Sequence, residues 1–296
     1  MGEDNGCYTI PTRRAARKPQ RFTARRAACD LGPYRIGRAV AAASPVPPAS
    51  LPLAAGAVVV LRAPLARPGK VWNSQGMVRL DDIGMRYGRG PEVLHGISLS
   101  LPDGSFHWLT GPSGAGKTSL IRLLSLTERP SRGTISLFGH DPDRLARGAR
   151  QALRRQIGVV YQDFRLLGHL SAFDNVALPL RLAGEREAAI AANTAELLAW
   201  VGLAERMAAK PATLSGGEQQ RLAVARAVVA GPRLIVADEP TGDLDERQAE
   251  RLLGLLVSLN RNGTTLLVAT HNERLIERFP APRLALSHGR LVAQDG

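Results

Sequence analysis

The chain has 296 residues, of which 44% are hydrophobic, enough for one large or two modest globular domains. Its formal charge of +13 suggests nucleic acid or an anionic membrane surface as a partner. Most of this positive charge lies in residues 1–76, which hold 12 lysines and arginines against three acids. Residues 77–296 are close to balanced, with 27 basic against 23 acidic groups. Both cysteines, Cys7 and Cys29, also lie in the first quarter, which excludes disulfides, thiol chemistry and Cys/His metal sites from the rest of the chain.

Residues 1–76 are predicted to be a disordered or non-native leader, with translation starting at Met77. They contain nine prolines, many alanines and clustered arginines, without a sustained period of 2 or 3.6. An organelle transit peptide has a similar arginine-rich composition and is the alternative. The uncharged stretch 39–61 contains four prolines, so it is interpreted as a linker and not as a membrane span.

From Met77 onward the chain alternates short strands with turn signals, and then strands with helices. The predicted strands are 78–80, 93–101, 106–110, 134–138, 234–237 and 265–269. The predicted helices are 118–126, 187–202, 217–230 and 246–261. This alternation indicates an α/β domain, and the continuous apolar runs of the last two strands are typical of parallel strands covered on both faces. The stretch 163–214 lies between such strands and is predicted to be mainly helical, which suggests an inserted helical subdomain at about 163–230.

The segment GPSGAGKT, residues 111–118, fits the phosphate-binding pattern G-x-x-x-x-G-K-[ST] between a predicted strand and a predicted helix. Glycines allow the backbone N–H groups to point at phosphates, and the helix N-terminus adds partial positive charge. Lys117 is expected to reach the β- and γ-phosphates, and the Thr118 hydroxyl to bind Mg²⁺. The predicted nucleotide contacts of this loop are Gly111, Pro112, Ser113, Gly114, Ala115, Gly116, Lys117, Thr118 and Ser119.

The segment LIVADEP, residues 234–240, supplies two carboxylates at the end of an apolar strand. The carboxyl edge of an open α/β sheet is where ligands bind, so Asp238 is expected to hold Mg²⁺. Glu239 is the candidate general base or water-positioning residue.

The segment LSGGEQQR, residues 214–221, predicts a second anion-binding helix start at Ser215, Gly216 and Gly217. A capping box between Ser215 and Glu218 is an alternative use of the same residues, and the two are compatible. Because one nucleotide needs one phosphate cradle, the second suggests a nucleotide held by another molecule.

Together these motifs resemble the ATP-binding cassette (ABC) family over residues 77–296. The resemblance implies an α/β P-loop NTPase fold, with an antiparallel β subdomain and an inserted helical subdomain. It also implies that Tyr87 stacks on adenine, that Gln162 contacts Mg²⁺ and the attacking water, and that His271 contacts the γ-phosphate. The TGDLD segment, 241–245, is similar to the family's D-loop and adds Asp245 to the nucleotide-binding residues, although GNLD is more frequent there.

The resemblance implies that two cassettes bind head to tail around two ATP molecules, with Mg²⁺ as cofactor. Within the family the detailed match is to its cell-division branch, which works with an integral membrane subunit of the FtsX type at the cytoplasmic face of the bacterial inner membrane. A lipoprotein-release or macrolide-efflux cassette is the alternative. A nucleic-acid-binding ATPase that uses the arginine-rich leader is a different class of hypothesis, and no specific nucleic acid is expected.

The stretch after Gln162, residues 163–180, is unusually apolar. It is predicted to pack partly inside the helical subdomain and partly to form a groove for a cytoplasmic helix of the membrane partner. Val176 and Leu178 are expected to be ordinary core, and residues 163–166 are expected to form the docking edge.

Overall fold

A computed structural model describes residues 77–294, so the predicted leader lies outside the described residues. The strands are β1 (Val78–Arg86), β2 (Glu92–Leu101), β3 (Phe106–Thr110), β4 (Arg132–Leu137), β5 (Ile157–Val160), β6 (Leu234–Asp238), β7 (Thr265–Ala269), β8 (Arg283–Ser287) and β9 (Arg290–Gln294). The helices are α1 (Lys117–Leu124), α2 (Arg147–Arg154), α3 (Ala172–Ala183), α4 (Glu187–Trp200), α5 (Gly216–Val228), α6 (Glu246–Arg261) and α7 (Glu273–Arg278), with 3₁₀ turns at Ala204–Arg206 and Pro211–Thr213.

The strands form two sheets, which confirms the predicted α/β class with an antiparallel part. A three-stranded antiparallel sheet has the order β2-β1-β4, and a six-stranded sheet has the order β5-β6-β7-β3-β8-β9. In the larger sheet β5, β6, β7, β3 and β8 run parallel, and β9 is antiparallel to β8. The loops after β3, β6 and β7 therefore leave the sheet at one edge, the place where such sheets bind ligands.

The parallel strands are buried because their sequences are apolar on both faces. Every residue of β6 and of β7 is buried, as expected for strands covered by layers on both sides. One core cluster includes Trp108 and residues of α3 to α6, and the other includes α1 and both sheets. Each fully buried leucine of these clusters contributes about 1.5–3 kcal/mol by leaving water.

The stretch 163–214, which was predicted to be mainly helical, contains α3, α4 and the two 3₁₀ turns. The α3 helix begins where the Ser171 side chain accepts a hydrogen bond from the Asp174 amide, and it ends at Gly184 in the left-handed conformation. Inside it, the buried Asn175 side chain bonds the backbone of Leu167, Leu170 and Ser171. These bonds fix the loop that precedes α3.

Several elements differ from the sequence predictions. Strand β1 continues to Arg86 and does not stop at residue 80, since register shifts in its pairings and a φ of 48° at Asp82 interrupt the alternating pattern. Helices α2 and α7 and strands β8 and β9 were not assigned from the sequence. Each has eight residues or fewer, too short for a clear periodic signal.

Within residues 77–294, no helix combines the length and the apolar character that crossing a membrane requires.

Candidate functional site

The loop of residues 111–118 joins β3 to α1. One side of this loop packs against the protein, and its other side is open. Gly111 has a φ of 142°, and a Cβ there would collide with the backbone oxygen of Leu286 in β8. Gly114 has a φ of 75°, and a Cβ there would meet nothing within 4 Å. The loop is therefore anchored at Gly111 and presents its open face to the cleft.

Lys117 and Thr118 begin α1 and point to different partners. The Lys117 Nζ donates to the carbonyl oxygens of Gly111 at 2.7 Å and Pro112 at 3.2 Å. The Thr118 hydroxyl donates to Asp238 Oδ2 at 2.7 Å. The loop thus places an ammonium group and a hydroxyl group at one edge of the sheet.

Asp238 ends β6 and is only 3% exposed. Burial is the main reason that the pKa of its carboxyl group is raised, and the charge of Glu239 raises it further. The Thr118 hydrogen bond and the positive charges of Lys117 and Arg122 act in the opposite direction. An ionised Asp238 is therefore costly in this protein alone, and a bound cation would relieve that cost.

The donor atoms at this position suit Mg²⁺. The Asp238 carboxylate, the Thr118 hydroxyl and the Gln162 amide line the same cleft, and oxygen is the ligand atom that Mg²⁺ prefers. Across residues 77–294, no group of three or more His, Cys, Asp or Glu side chains could hold a metal ion. A magnesium ion here would be completed by water and by the oxygens of a nucleotide, as is usual for this ion.

Glu239 and His271 come from the ends of two neighbouring strands. Glu239 has a φ of 48°, and its amide donates to the Ala269 carbonyl at 3.0 Å. A left-handed backbone conformation is energetically costly for a glutamate. Its presence indicates that the Glu239 side chain has to be held at this place. The Glu239 Oε1 lies 2.8 Å from Nδ1 of His271. The Glu239 side chain is 14% exposed, whereas the His271 side chain is 78% exposed.

A cleft of about 610 Å³ gathers most of the predicted site residues. It is lined by Val93, residues 111–119, Gln162, Asp238, Glu239 and His271. All residues predicted for catalysis or metal binding therefore lie together. Val93 was not predicted to line the site, because an apolar residue early in a strand is normally interpreted as part of the hydrophobic core.

Tyr87 lies at the margin of this cleft. It follows β1, is 38% exposed, and its hydroxyl lies 3.1 Å from Oγ of Ser119. The Arg122 guanidinium also approaches the ring, at 5.8 Å from its centroid. An exposed aromatic beside the start of α1 is placed where it could stack on a base, and this role stays a prediction.

Ser215, Gly216 and Gly217 lie at the start of α5 and do not line the cleft. The capping box is present, since Ser215 Oγ accepts from the Glu218 amide at 3.3 Å and Glu218 Oε2 accepts from the Ser215 amide at 2.8 Å. The bonds from Ser215 lower the pKa of Glu218. The capping box thus fixes the start of α5, and binding of an anion at this helix end stays a prediction.

Asp245 belongs to this second group and not to the cleft. Its side chain caps α6 by accepting from the Gln248 amide at 2.8 Å. A Cβ on Gly217 would lie 3.2 Å from Leu244 Cδ2, so the segment 241–245 packs against the start of α5. The predicted site residues therefore form two groups on one chain.

Arg226 in α5 is a residue that sequence reasoning missed. Its guanidinium donates to the carbonyl oxygens of Phe164 at 2.8 Å and Arg165 at 2.7 Å. Both of these residues are left-handed, with φ of 54° and 49°. Arg165 in turn stacks on the Tyr161 ring at 3.9 Å. The half-buried Arg226 therefore holds the segment that follows Gln162.

Comparisons with known proteins agree with this geometry. A family model described as ABC transporter matches residues 94–242. The chain is 43% identical over 215 residues to the cell division ATP-binding protein FtsE of Escherichia coli (strain K12), covering 73% of this chain and 97% of the relative. It is 42% identical over 222 residues to the methionine import ATP-binding protein MetN of Mesorhizobium japonicum, covering 75% of this chain and 60% of that relative. Among solved structures, a dimeric post-hydrolysis state of the ATP-binding cassette MJ0796 bound to ADP and Pi matches with a TM-score of 0.69 and 33% identity, over 74% of this chain and 98% of the other.

Proposed function

Because the chain belongs to the ABC transporter family and is an ATP-binding cassette ATPase, we propose that it works as a homodimer that drives an integral membrane subunit of the FtsX type in bacterial cell division. In this proposal residues 77–296 form the cassette. ATP binding brings two chains together, and hydrolysis separates them.

The separation of the two groups of site residues carries the dimer proposal. The cleft contains the phosphate loop, Asp238 and Glu239, whereas Ser215–Gly217 lie elsewhere on the same chain. An organised helix start that does not line the cleft of its own chain fits a nucleotide presented by a second copy. The MJ0796 relative, which is dimeric with ADP and Pi, supports the same arrangement.

The residues of the cleft suit a hydrolytic role. Lys117 exchanges its bonds to Gly111 and Pro112 for phosphate oxygens, and the loop amides orient the phosphates. Thr118, Asp238 and Gln162 would hold Mg²⁺, which would supply positive charge to neutralise the phosphates. Glu239 orients and deprotonates the attacking water, while His271 fixes the Glu239 carboxylate and reaches the γ-phosphate.

Similarity to FtsE supports the cell-division part of the proposal. The segment after Gln162 is a suitable docking edge, since Asp163 and Arg165 are exposed and Phe164 and Leu166 are half-buried. In this proposal the chain sits at the cytoplasmic face of the inner membrane through its membrane subunit.

The test is reconstitution of the full chain with the FtsX-type membrane subunit of the same organism in lipid nanodiscs. The proposal expects a stable complex and altered phosphate release in it, and depletion of the chain should produce division defects. Specific binding to a transporter permease with no binding to the FtsX-type subunit would contradict the cell-division role.

A further inference from the structure

The turn between β8 and β9 contacts the phosphate loop on the side that packs against the protein. His288 and Gly289 form this turn, and both have a left-handed backbone, with φ of 47° and 71°. The Gly289 amide donates to the Ala115 carbonyl of the phosphate loop at 3.1 Å. At the beginning of the loop, Gly111 lies against the carbonyl oxygen of Leu286. We refer to β8, this turn and β9 as the β8–β9 hairpin, which thus contacts the phosphate loop at two points.

Strand β2 is the third segment that meets at Gly289. The Gly289 carbonyl accepts a hydrogen bond from the His95 amide at 2.8 Å. A Cβ on Gly116 of the phosphate loop would lie 2.6 Å from Leu94 Cδ2 and 3.8 Å from the Gly289 Cα. Gly289 is buried, whereas His288 before it is exposed. The phosphate loop, β2 and the β8–β9 hairpin therefore meet at one buried glycine.

The space at Gly289 admits no side chain. A Cβ there would collide with the carbonyl oxygen of Val93 and would lie 2.9 Å from Cδ2 of His95. Val93 also lines the nucleotide cleft. Because closely packed backbone cannot move aside as the end of a flexible side chain can, an added methyl group would displace the cleft wall or the hairpin.

The hydrogen bond from Gly289 sets the direction of a phosphate-loop N–H group. The Ala115 carbonyl and the Gly116 N–H belong to one peptide unit, which is planar and trans, so the two groups point in opposite directions. Since the hairpin holds the Ala115 carbonyl, the Gly116 N–H points away from the hairpin. Backbone N–H groups at a helix N-terminus bind phosphates only when they point at them. A shift at Gly289 would therefore turn an N–H group of the loop that is expected to bind the nucleotide.

We propose that Gly289 is a positioning residue for nucleotide binding, which acts through its amide and through its lack of a side chain. This inference rests on the proposed function, in which the phosphate loop holds the phosphates of ATP. A loop that the β8–β9 hairpin already orders needs less ordering by the nucleotide, and such preorganisation strengthens binding.

The experiment compares the full chain with its Gly289→Ala and Gly139→Ala variants in steady-state hydrolysis of Mg·ATP. Gly139 is the matched control, because its φ is 79°, it follows the left-handed residue Phe138, and a Cβ there would meet nothing within 4 Å. The strain of a left-handed alanine is therefore common to both variants. We expect Gly289→Ala to raise KM about tenfold or more and to leave kcat within about twofold, since it weakens binding and leaves the residues expected at the attacking water in place. Gly139→Ala should leave both constants unchanged.

A second measurement uses the wild-type chain and does not depend on the folding of a variant. Amide hydrogen exchange in residues 286–290 should slow when Mg·ATP binds, because an ordered phosphate loop holds the acceptor of the Gly289 amide in place. Exchange in residues 137–140, the corresponding turn of the control, should stay the same.

Equal KM values for Gly289→Ala and Gly139→Ala, or a lower kcat at unchanged KM, would overturn this inference while leaving the proposed function intact. If Gly289→Ala does not fold, the exchange measurement decides, and unchanged exchange in residues 286–290 on binding of Mg·ATP overturns the inference. Failure of the wild-type chain to bind Mg·ATP would overturn both the inference and the proposed function.

Discussion

Nδ1 of His271 lies 2.8 Å from Oε1 of Glu239, although the two residues are 32 positions apart in the chain. The contact forms because β6 and β7 are adjacent parallel strands, and each residue follows the end of its strand. The His271 imidazole therefore holds the carboxylate of Glu239, a residue whose backbone is already fixed in the left-handed region.

Replacing His271 by alanine should lower kcat by about tenfold to a hundredfold. Glu239 would lose the contact that orients its carboxylate, and the γ-phosphate would lose a hydrogen-bond donor. The affinity for ATP should change little, because the phosphate loop is untouched. Steady-state phosphate release and nucleotide binding measure the two effects. The His140→Ala variant, at an exposed position away from the cleft, is the control. Unchanged kcat in the His271 variant would remove His271 from the mechanism.

Replacing Asp238 by asparagine should stabilise the nucleotide-free protein and abolish its response to Mg²⁺. Because the pKa of Asp238 is raised from 3.8, its ionisation costs stability as the pH rises through the raised value. Above that range the variant should melt at a higher temperature than wild type, and the difference should vanish below pH 3.8. Thermal unfolding with and without Mg·ATP measures both effects. A variant that melts lower at neutral pH would show that the ionised Asp238 is stabilised by its neighbours.

Replacing Arg226 by methionine should destabilise the fold by about 1–3 kcal/mol. The change leaves the carbonyl groups of half-buried Phe164 and exposed Arg165 without their charged donor. Urea unfolding measures the loss. Arg221→Met is the matched control on the same helix, because the Arg221 guanidinium bonds the exposed side of Gln248 and should contribute under about 1 kcal/mol. Similar losses in both variants would mean that Arg226 acts only through general helix packing.

Replacing Phe164 by aspartate should uncouple ATP hydrolysis from the membrane subunit. Asp is tolerated in the left-handed conformation better than Phe, so the backbone at this position, with its φ of 54°, should be kept. ATP binding by the free chain should therefore persist, while activation or inhibition by the membrane subunit disappears. The Phe164→Leu variant keeps an apolar side chain and should remain coupled. Loss of folding in the aspartate variant would place Phe164 in the core.

The cleft was largely predictable because its residues belong to short motifs next to strands. The phosphate loop, Asp238 and Glu239 each follow an apolar strand, and parallel strands bring such ends to one edge. The packing of Gly217 against Leu244 and the bonds of Arg226 were not predictable, since they join segments that are distant in the chain and carry no periodic signal. The full length of β1 was missed because its irregular pairing near Asp82 breaks the alternation on which strand prediction depends.

The central claim, that ATP is held between the cleft of one chain and Ser215–Gly217 of another, is tested most directly by the mass of the Glu239→Gln variant in solution. This variant should bind ATP but hydrolyse it about 10²–10⁴-fold more slowly, because it lacks the base. Multi-angle light scattering should give the monomer mass without nucleotide and twice that mass with Mg·ATP. Adding Gly216→Glu, at a position where a Cβ would lie 3.8 Å from its nearest neighbour, should keep the fold and ATP binding but abolish the dimer. A Glu239→Gln chain that stays monomeric with saturating ATP, or a dimer unaffected by Gly216→Glu, would contradict the account.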